Sequence, residues 1–263
     1  MPTQSTLAAA VGIAGIISAV SWRVGSLTAS GALAALVVGT AAISAGPAWG
    51  AFLIAWFLSA SLLSRVGRAA KARHVHGIVA KAGARDARQV LANGLVFAGC
   101  AITMSVVPDP RVAVAAAGAL GAAGADTWAT EFGTWRKSDA WSLRTGRWVP
   151  AGTSGALSAW GTLAMFAGAL LYALLALSLG LVESDAWTAV VAGGVAGAVV
   201  DSLIGAWWQE RRWCDTCNSG TEQPIHQCGT ATRVVGGRAL IDNDLVNLAA
   251  TLAGAAVAFG LVT

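Results

Sequence analysis

Runs of apolar residues, interrupted at short intervals by Pro, Gly and acidic residues, occupy most of this chain. Eight can be drawn, over about 6–22, 28–45, 49–66, 86–107, 110–130, 156–181, 187–209 and 240–262. Each approaches the roughly 20 apolar residues that carry an α-helix across a hydrocarbon core. The breaks are the usual punctuation: Gly46-Pro47, Pro108-Asp109-Pro110 and Glu183-Ser184-Asp185. Three longer connections remain, about 67–85, 131–155 and 210–239. The pattern predicts an all-α, polytopic integral membrane bundle of about eight helices, forming a single membrane domain over 1–263.

Composition agrees with that pattern. Of the 263 residues 56% are hydrophobic and only 11% charged, against about 25% in a soluble domain. The 32 glycines suit close approach of helices in lipid. No Lys or Arg precedes the first apolar run, so it lacks the basic start of a secretory leader and is expected to stay as a transmembrane helix. The net charge of +4 predicts basic loops that set topology and meet lipid headgroups, with no nucleic-acid partner.

With eight spans the three long connections fall on one side. Arg23, seven basic residues from Arg65 to Arg88, Arg136, Lys137, Arg144, Arg147, Arg211, Arg212, Arg233 and Arg238 share that side, and Arg111 stands apart on the other. The positive-inside rule then predicts cytoplasmic long loops and both termini outside, in the inner (cell) membrane. Trp22, Trp128, Trp135, Trp141, Trp148, Trp207, Trp208 and Trp213 fall near the inner boundary, and Trp49 and Trp187 near the outer one, as an interfacial belt would.

Carboxylates inside such segments cost about 2.5–3.5 kcal/mol each near the bilayer centre and mark function. Asp126 lies near the inner end of the fifth run, with Glu131 just past it. Asp201 lies roughly 12 Å inside the end of the seventh, and Asp244 opens the eighth. Gly193, Gly197, Asp201, Gly205 and Gln209 recur every fourth residue, as do Gly118, Ala122, Asp126 and Thr130. Each set is one helical face of small residues around an acid, and is predicted to turn into the bundle. Asn243 and Asn247 share a face of the eighth helix, and Asn93 lies near the inner end of the fourth. Carboxylates among amides and hydroxyls make an all-oxygen site suited to Mg²⁺, expected at Asp126, Asp201 and Asp244.

Two loop motifs add chemistry. The turn Gly152-Thr153-Ser154-Gly155, read as opening a helix, is predicted to present backbone N–H groups to an anion. Plain N-capping by Thr153 or Ser154 is the simpler reading. Cys214, Cys217, His226 and Cys228 form a set that suits a structural Zn²⁺ in a reducing compartment, with unpaired loop thiols as the alternative. Cys100 is read as a packing residue, and His74 and His76 as solvated.

The block Ala125-Asp126-Thr127-Trp128-Ala129-Thr130-Glu131-Phe132-Gly133 resembles the signature of the transmembrane protein 19 family, also called domain of unknown function 92. The likeness extends in order to Gln89–Gly94, Val149–Gly155, Asp201–Ala206 with Gln209, and Asn243–Asn247. The family often has Pro-Arg where this chain has Ala140-Trp141, and paired glycines where it has Gly155-Ala156.

That family includes plant enzymes that phosphorylate phytyl monophosphate. The resemblance implies a prenyl-monophosphate kinase, using a nucleoside triphosphate such as CTP with Mg²⁺ at the cytoplasmic face. Its partners would be a prenyl-phosphate lipid, a nucleotide and membrane lipids. On that reading Asp126, Asp201 and Asp244 hold metal, and Glu131 is a further ligand or proton acceptor. Asn93, Gln209, Asn243 and Asn247 orient phosphates or metal-bound water, with Thr127 and Thr130 beside them. Thr153, Ser154, Arg136 and Lys137 neutralise phosphate charge. Two rivals stand beside it. An ion-coupled or lipid transporter also uses intramembrane acids, and a lipid-binding scaffold would tolerate their loss.

Overall fold

The computed structural model describes residues 3–66, 83–135 and 139–262. Among them are eight α-helices: α1 Gln4–Arg23, α2 Ala29–Ala45, α3 Pro47–Arg65, α4 Ala87–Val106, α5 Pro110–Gly133, α6 Ala159–Ser178, α7 Trp187–Trp207 and α8 Asn243–Gly260. Six are long and apolar enough to cross a membrane. The other two are α2, which is only 17 residues long, and α8, which opens on the polar pair Asn243-Asp244.

Local chemistry sets the ends. Thr28, Ser158 and Asp242 accept hydrogen bonds from first-turn N–H groups of α2, α6 and α8. Asp86 and Gln89 close a reciprocal capping box on α4. Each such cap contributes about 1 kcal/mol. Pro47 and Pro110 sit in the first turns of α3 and α5, where a missing N–H costs nothing.

α5 is the central post. Every residue from Ala113 to Ala125 is buried, and a helix apolar on all sides belongs inside. Its neighbours approach through small residues. A side chain at Gly118 would meet Ala258 and Gly254 of α8. One at Gly197 of α7 would collide with Ala122 of α5 and the Ala250 carbonyl of α8. In lipid such close contact, rather than expulsion of water, holds helices together. Aromatic packing ties in α3, α4 and α6: Trp49 and Phe97 lie 5.4 Å apart, and Phe52 meets Tyr172 edge-on at 6.4 Å. Trp49 is thus a core residue, 5% exposed, and not part of an outer belt. Large apolar side chains such as Ile16, Leu33, Leu62 and Leu163 cover the outside.

The helices alternate in direction, so the connections 24–28, 83–86, 134–158 and 208–242 gather at one end. The Thr28 N–H donates to the Arg85 carbonyl at 3.0 Å, and the Glu210 N–H to Ile241 at 2.8 Å. Two of these connections fold into small antiparallel sheets that apolar patterning did not predict. The first orders β1 (Asp139–Ser142) between β2 (Trp148–Pro150) and β3 (Ala156–Leu157). The second orders β4 (Arg211–Cys214) between β5 (Ser219–Thr221) and β6 (Arg233–Gly236).

Candidate functional site

The small-residue faces of α5, α7 and α8 meet where Ala122, Gly197 and Ala250 touch. One turn closer to the loop end from that contact stand Asp126 on α5, Asp201 on α7 and Asn247 on α8. The helices part there, and a cavity of about 410 Å³ opens, within the range of small-molecule sites. Asp126 and Asp201 both line it, and Asp201 lies within electrostatic reach of Asp126. Asp201 Oδ2 is buried without a hydrogen-bond partner among the described residues. Two acids facing one pocket, one with an orphaned oxygen, fit a hard divalent cation.

The roof is made by the loops. Thr153, Ser154 and Gly155 line the cavity. Gly155 has φ +70°, and a side chain there would run into Ala206, so glycine serves both the turn and the close approach. Ser154 donates to Gln209 Oε1, and Gln209 Nε2 donates to Glu222 Oε1 at 3.0 Å. Gln209, 3% exposed, thereby joins the end of α7 to both sheets. Glu222 lines the cavity and lies within electrostatic reach of Asp201. One flank is apolar: Met165 and Phe166 of α6 face Val195, Val199 and Leu203 of α7. Outside, burial and the nearby charge of Arg144 lower the pKa of Arg211, so two cations are held close together beside the roof.

Of the expected site residues, the structure brings Asp126, Thr130, Thr153, Ser154, Asp201, Gln209 and Asn243 to the cavity. Asp244 does not line it. It turns about 100° from Asn243 toward α4, where Arg88 Nε lies 3.8 Å away while Arg88 Nη2 bonds Asp242 at 2.7 Å. Glu131 points about 140° round α5 from Asp126 and is not a lining residue. Thr127 turns its hydroxyl to the Ala123 carbonyl, and Asn93 its amide to the Gln89 carbonyl. Asn247 shares the face of Asn243, one turn deeper. Arg136 and Lys137 lie outside the described residues. The Gly152–Gly155 turn does not open a helix, because β3 intervenes and Ser158 caps α6. Glu222, Ser158, Thr162 and Ser202 also line the cavity, and residue type alone did not single them out.

In the second sheet the ligand atoms of Cys214, Cys217, His226 and Cys228 all lie within 4.8 Å of one another. The Thr230 hydroxyl and the His226 ring bring the Cys228 thiol down to about 6. Cys217, hydrogen-bonded to Cys228, is pushed up to about 11.

Apolar helices around a buried central post, with an acid-floored cavity at the loop end, define a polytopic integral membrane protein. The chain matches the family described as "Integral membrane protein DUF92" over residues 12–255, and belongs to it. Protein PGR of Arabidopsis thaliana is 28% identical over 95% of this chain and 93% of its own length. An uncharacterized membrane protein of Synechocystis is 30% identical over 62% of this chain and 65% of its own. One of Methanocaldococcus jannaschii is 31% identical over 60% and 64%. No solved structure matches the chain.

Proposed function

We propose that this protein is a membrane-embedded prenyl-monophosphate kinase, using a nucleoside triphosphate and Mg²⁺ at the cytoplasmic face. The observation that carries the reading is one cavity with two opposite characters. Acids, amides and hydroxyls form its floor and roof, and an apolar flank lies between α6 and α7. An amphiphile with an isoprenoid chain and a phosphate head needs both. The family resemblance points the same way.

Phosphoryl transfer asks the protein mainly for positioning and charge neutralisation. A phosphate oxygen of the acceptor attacks the γ-phosphorus. The bond from γ-phosphorus to the β–γ bridging oxygen breaks, and the nucleoside diphosphate leaves with the electron pair. The acceptor is already an anion at pH 7, so no strong general base is required, which suits a cavity whose lining, among the described residues, has no His or Lys. Asp126 and Asp201 would hold Mg²⁺, whose charge offsets that of the phosphates. The Ser154–Gln209–Glu222 chain fixes the roof turn over the floor. Arg144 and Arg211, close enough to feel each other's charge, would help offset that of an incoming polyanion.

The test is phosphate transfer by purified protein in lipid nanodiscs, with CTP, ATP, GTP and UTP against prenyl monophosphates of several lengths. Asp126→Asn and Asp201→Asn are each expected to cut the rate on the order of a hundredfold or more while the helical circular-dichroism signal persists. Full activity in both variants would remove the metal role. Substrate crossing a bilayer with no diphosphate formed would favour a transporter.

A further inference from the structure

The connection from Trp208 to Asp242 folds without an apolar core. From residue 211 to 238 the fully buried residues are Cys214, Thr221 and His226, and Ile225, Val234 and Val235 are all exposed. A segment of some thirty residues does not hold three strands on so little buried surface; such small units are usually stapled by metal or disulfide. Two of the three buried residues belong to one cluster with Cys217 and Cys228.

The four ligand atoms lie close enough together, all within 4.8 Å, to share one ion. Cys214 and Cys228 Sγ lie 3.6 Å apart, and His226 Nδ1 lies 3.2 Å from Cys228 Sγ. A tetrahedral zinc with Zn–S of about 2.3 Å sets its sulfurs about 3.8 Å apart, whereas a disulfide requires about 2.05 Å. The backbone is shaped to match. The Cys217 N–H points at Cys214 Sγ, 3.5 Å away, a hydrogen bond that supports a metal-bound thiolate. Asn218, at φ 49°, turns the chain into β5, and Gly229, at φ 82°, turns it back after Cys228.

What hangs from this knot is Glu222. It lies five residues after Cys217 and four before His226, so both ends of its segment are anchored by the cluster. β5 pairs with β4 in the register Arg212–Thr221 and Cys214–Ser219. The Thr232 hydroxyl donates to the Gln223 carbonyl at 2.6 Å, fixing the chain just past the acid. Glu222 then meets Gln209 and faces the cavity.

We infer that Cys214, Cys217, His226 and Cys228 bind one structural zinc ion, and that this ion folds the loop so that Glu222 is delivered to the acid-lined cavity. The metal site stands on its own geometry; only the importance of Glu222 for phosphate transfer rests on the kinase reading.

The experiment is elemental analysis of the full-length protein purified under reducing conditions, with hydrogen exchange of the loop read on the same samples. About one zinc per chain is expected, as is a cobalt-substituted form with thiolate-to-metal absorption. Cys217→Ser and Cys228→Ser should lose the metal and amide protection over 219–226, while the helices stay protected. Cys100→Ser should retain both, and so should Glu222→Gln, which separates the metal site from the chemistry. Chelation followed by added Zn²⁺ should remove and restore loop protection. Metal-free protein with a protected loop, a Cys214–Cys228 disulfide in its place, or variants that keep both zinc and protection would overturn the inference. None of these readings requires substrate or nucleotide.

Discussion

Gln209 shows how one buried amide can hold a site together. Its carbonyl oxygen accepts from Ser154 and its amide nitrogen donates to Glu222, so three separate stretches of chain meet at a single side chain. Gln209→Leu keeps the bulk but removes one hydrogen bond from the Ser154 hydroxyl and one from the Glu222 carboxylate. Such losses cost about 1–3 kcal/mol, and the expected result is a 5- to roughly 150-fold fall in kcat/KM with folding intact. Asp244→Asn is the matched comparison. It alters a carboxylate set against Arg88 and outside the cavity, so the transfer rate should stay close to the parent's. Measured side by side, a Gln209 variant with full activity or an Asp244 variant with none would contradict this arrangement. Asp126 and Asp201 were legible in the sequence because acids are costly inside apolar helices. Asp244 was misplaced because its helix face was unknown: one step along a helix is about 100° of rotation, enough to turn a side chain to another neighbour. Glu222 was hidden for a different reason, since an acid in a polar loop is ordinary until the loop's fold is known.

At the level of elements, small residues decide the packing. Gly197 leaves no room for a methyl between Ala122 and the Ala250 carbonyl, whereas Gly99 has nothing within 4 Å. Gly197→Ala should therefore wedge α5, α7 and α8 apart, at a cost of about 1–3 kcal/mol. Gly99→Ala should be neutral or slightly stabilising, because alanine is the better helix former. Thermal unfolding in detergent compares the two directly, and equal midpoints would speak against the three-helix contact. The same periodicity made these helices readable: a four-residue recurrence of Gly and Ala around one acid already announces a buried face. The two sheets gave no such signal. Their strands have only two to four residues, too short for alternation to show, and the second is organised around thiols rather than apolar side chains.

For the molecule as a whole, the end that carries the cavity also carries the sheets and, among the described residues, every Arg but Arg111. The charge bias predicts that this end faces the cytoplasm. In a Cys100→Ser background that keeps the loop cysteines, Gly146→Cys should be labelled by membrane-impermeant reagents, as mapped by peptide mass, only after the cell is opened. Ser184→Cys should react from outside. The reverse pattern would invert the orientation. The helices were legible because each apolar run is long: eight are described, and six are long and apolar enough to cross a membrane. The other two fall short of that measure, α2 in its length and α8 in its polar opening.

The apolar flank has a consequence for how a long substrate is handled. Phe166, Val199 and Leu203 line the cavity and yet remain 51%, 41% and 37% exposed. The pocket is therefore slit along its side rather than closed like a purse. A hydrocarbon tail threaded through such a slit trails into the surrounding lipid and need never be swallowed whole. On the kinase reading, a protein built this way would have no ruler: it would grip the head and the first few carbons, and leave the remaining length to the bilayer.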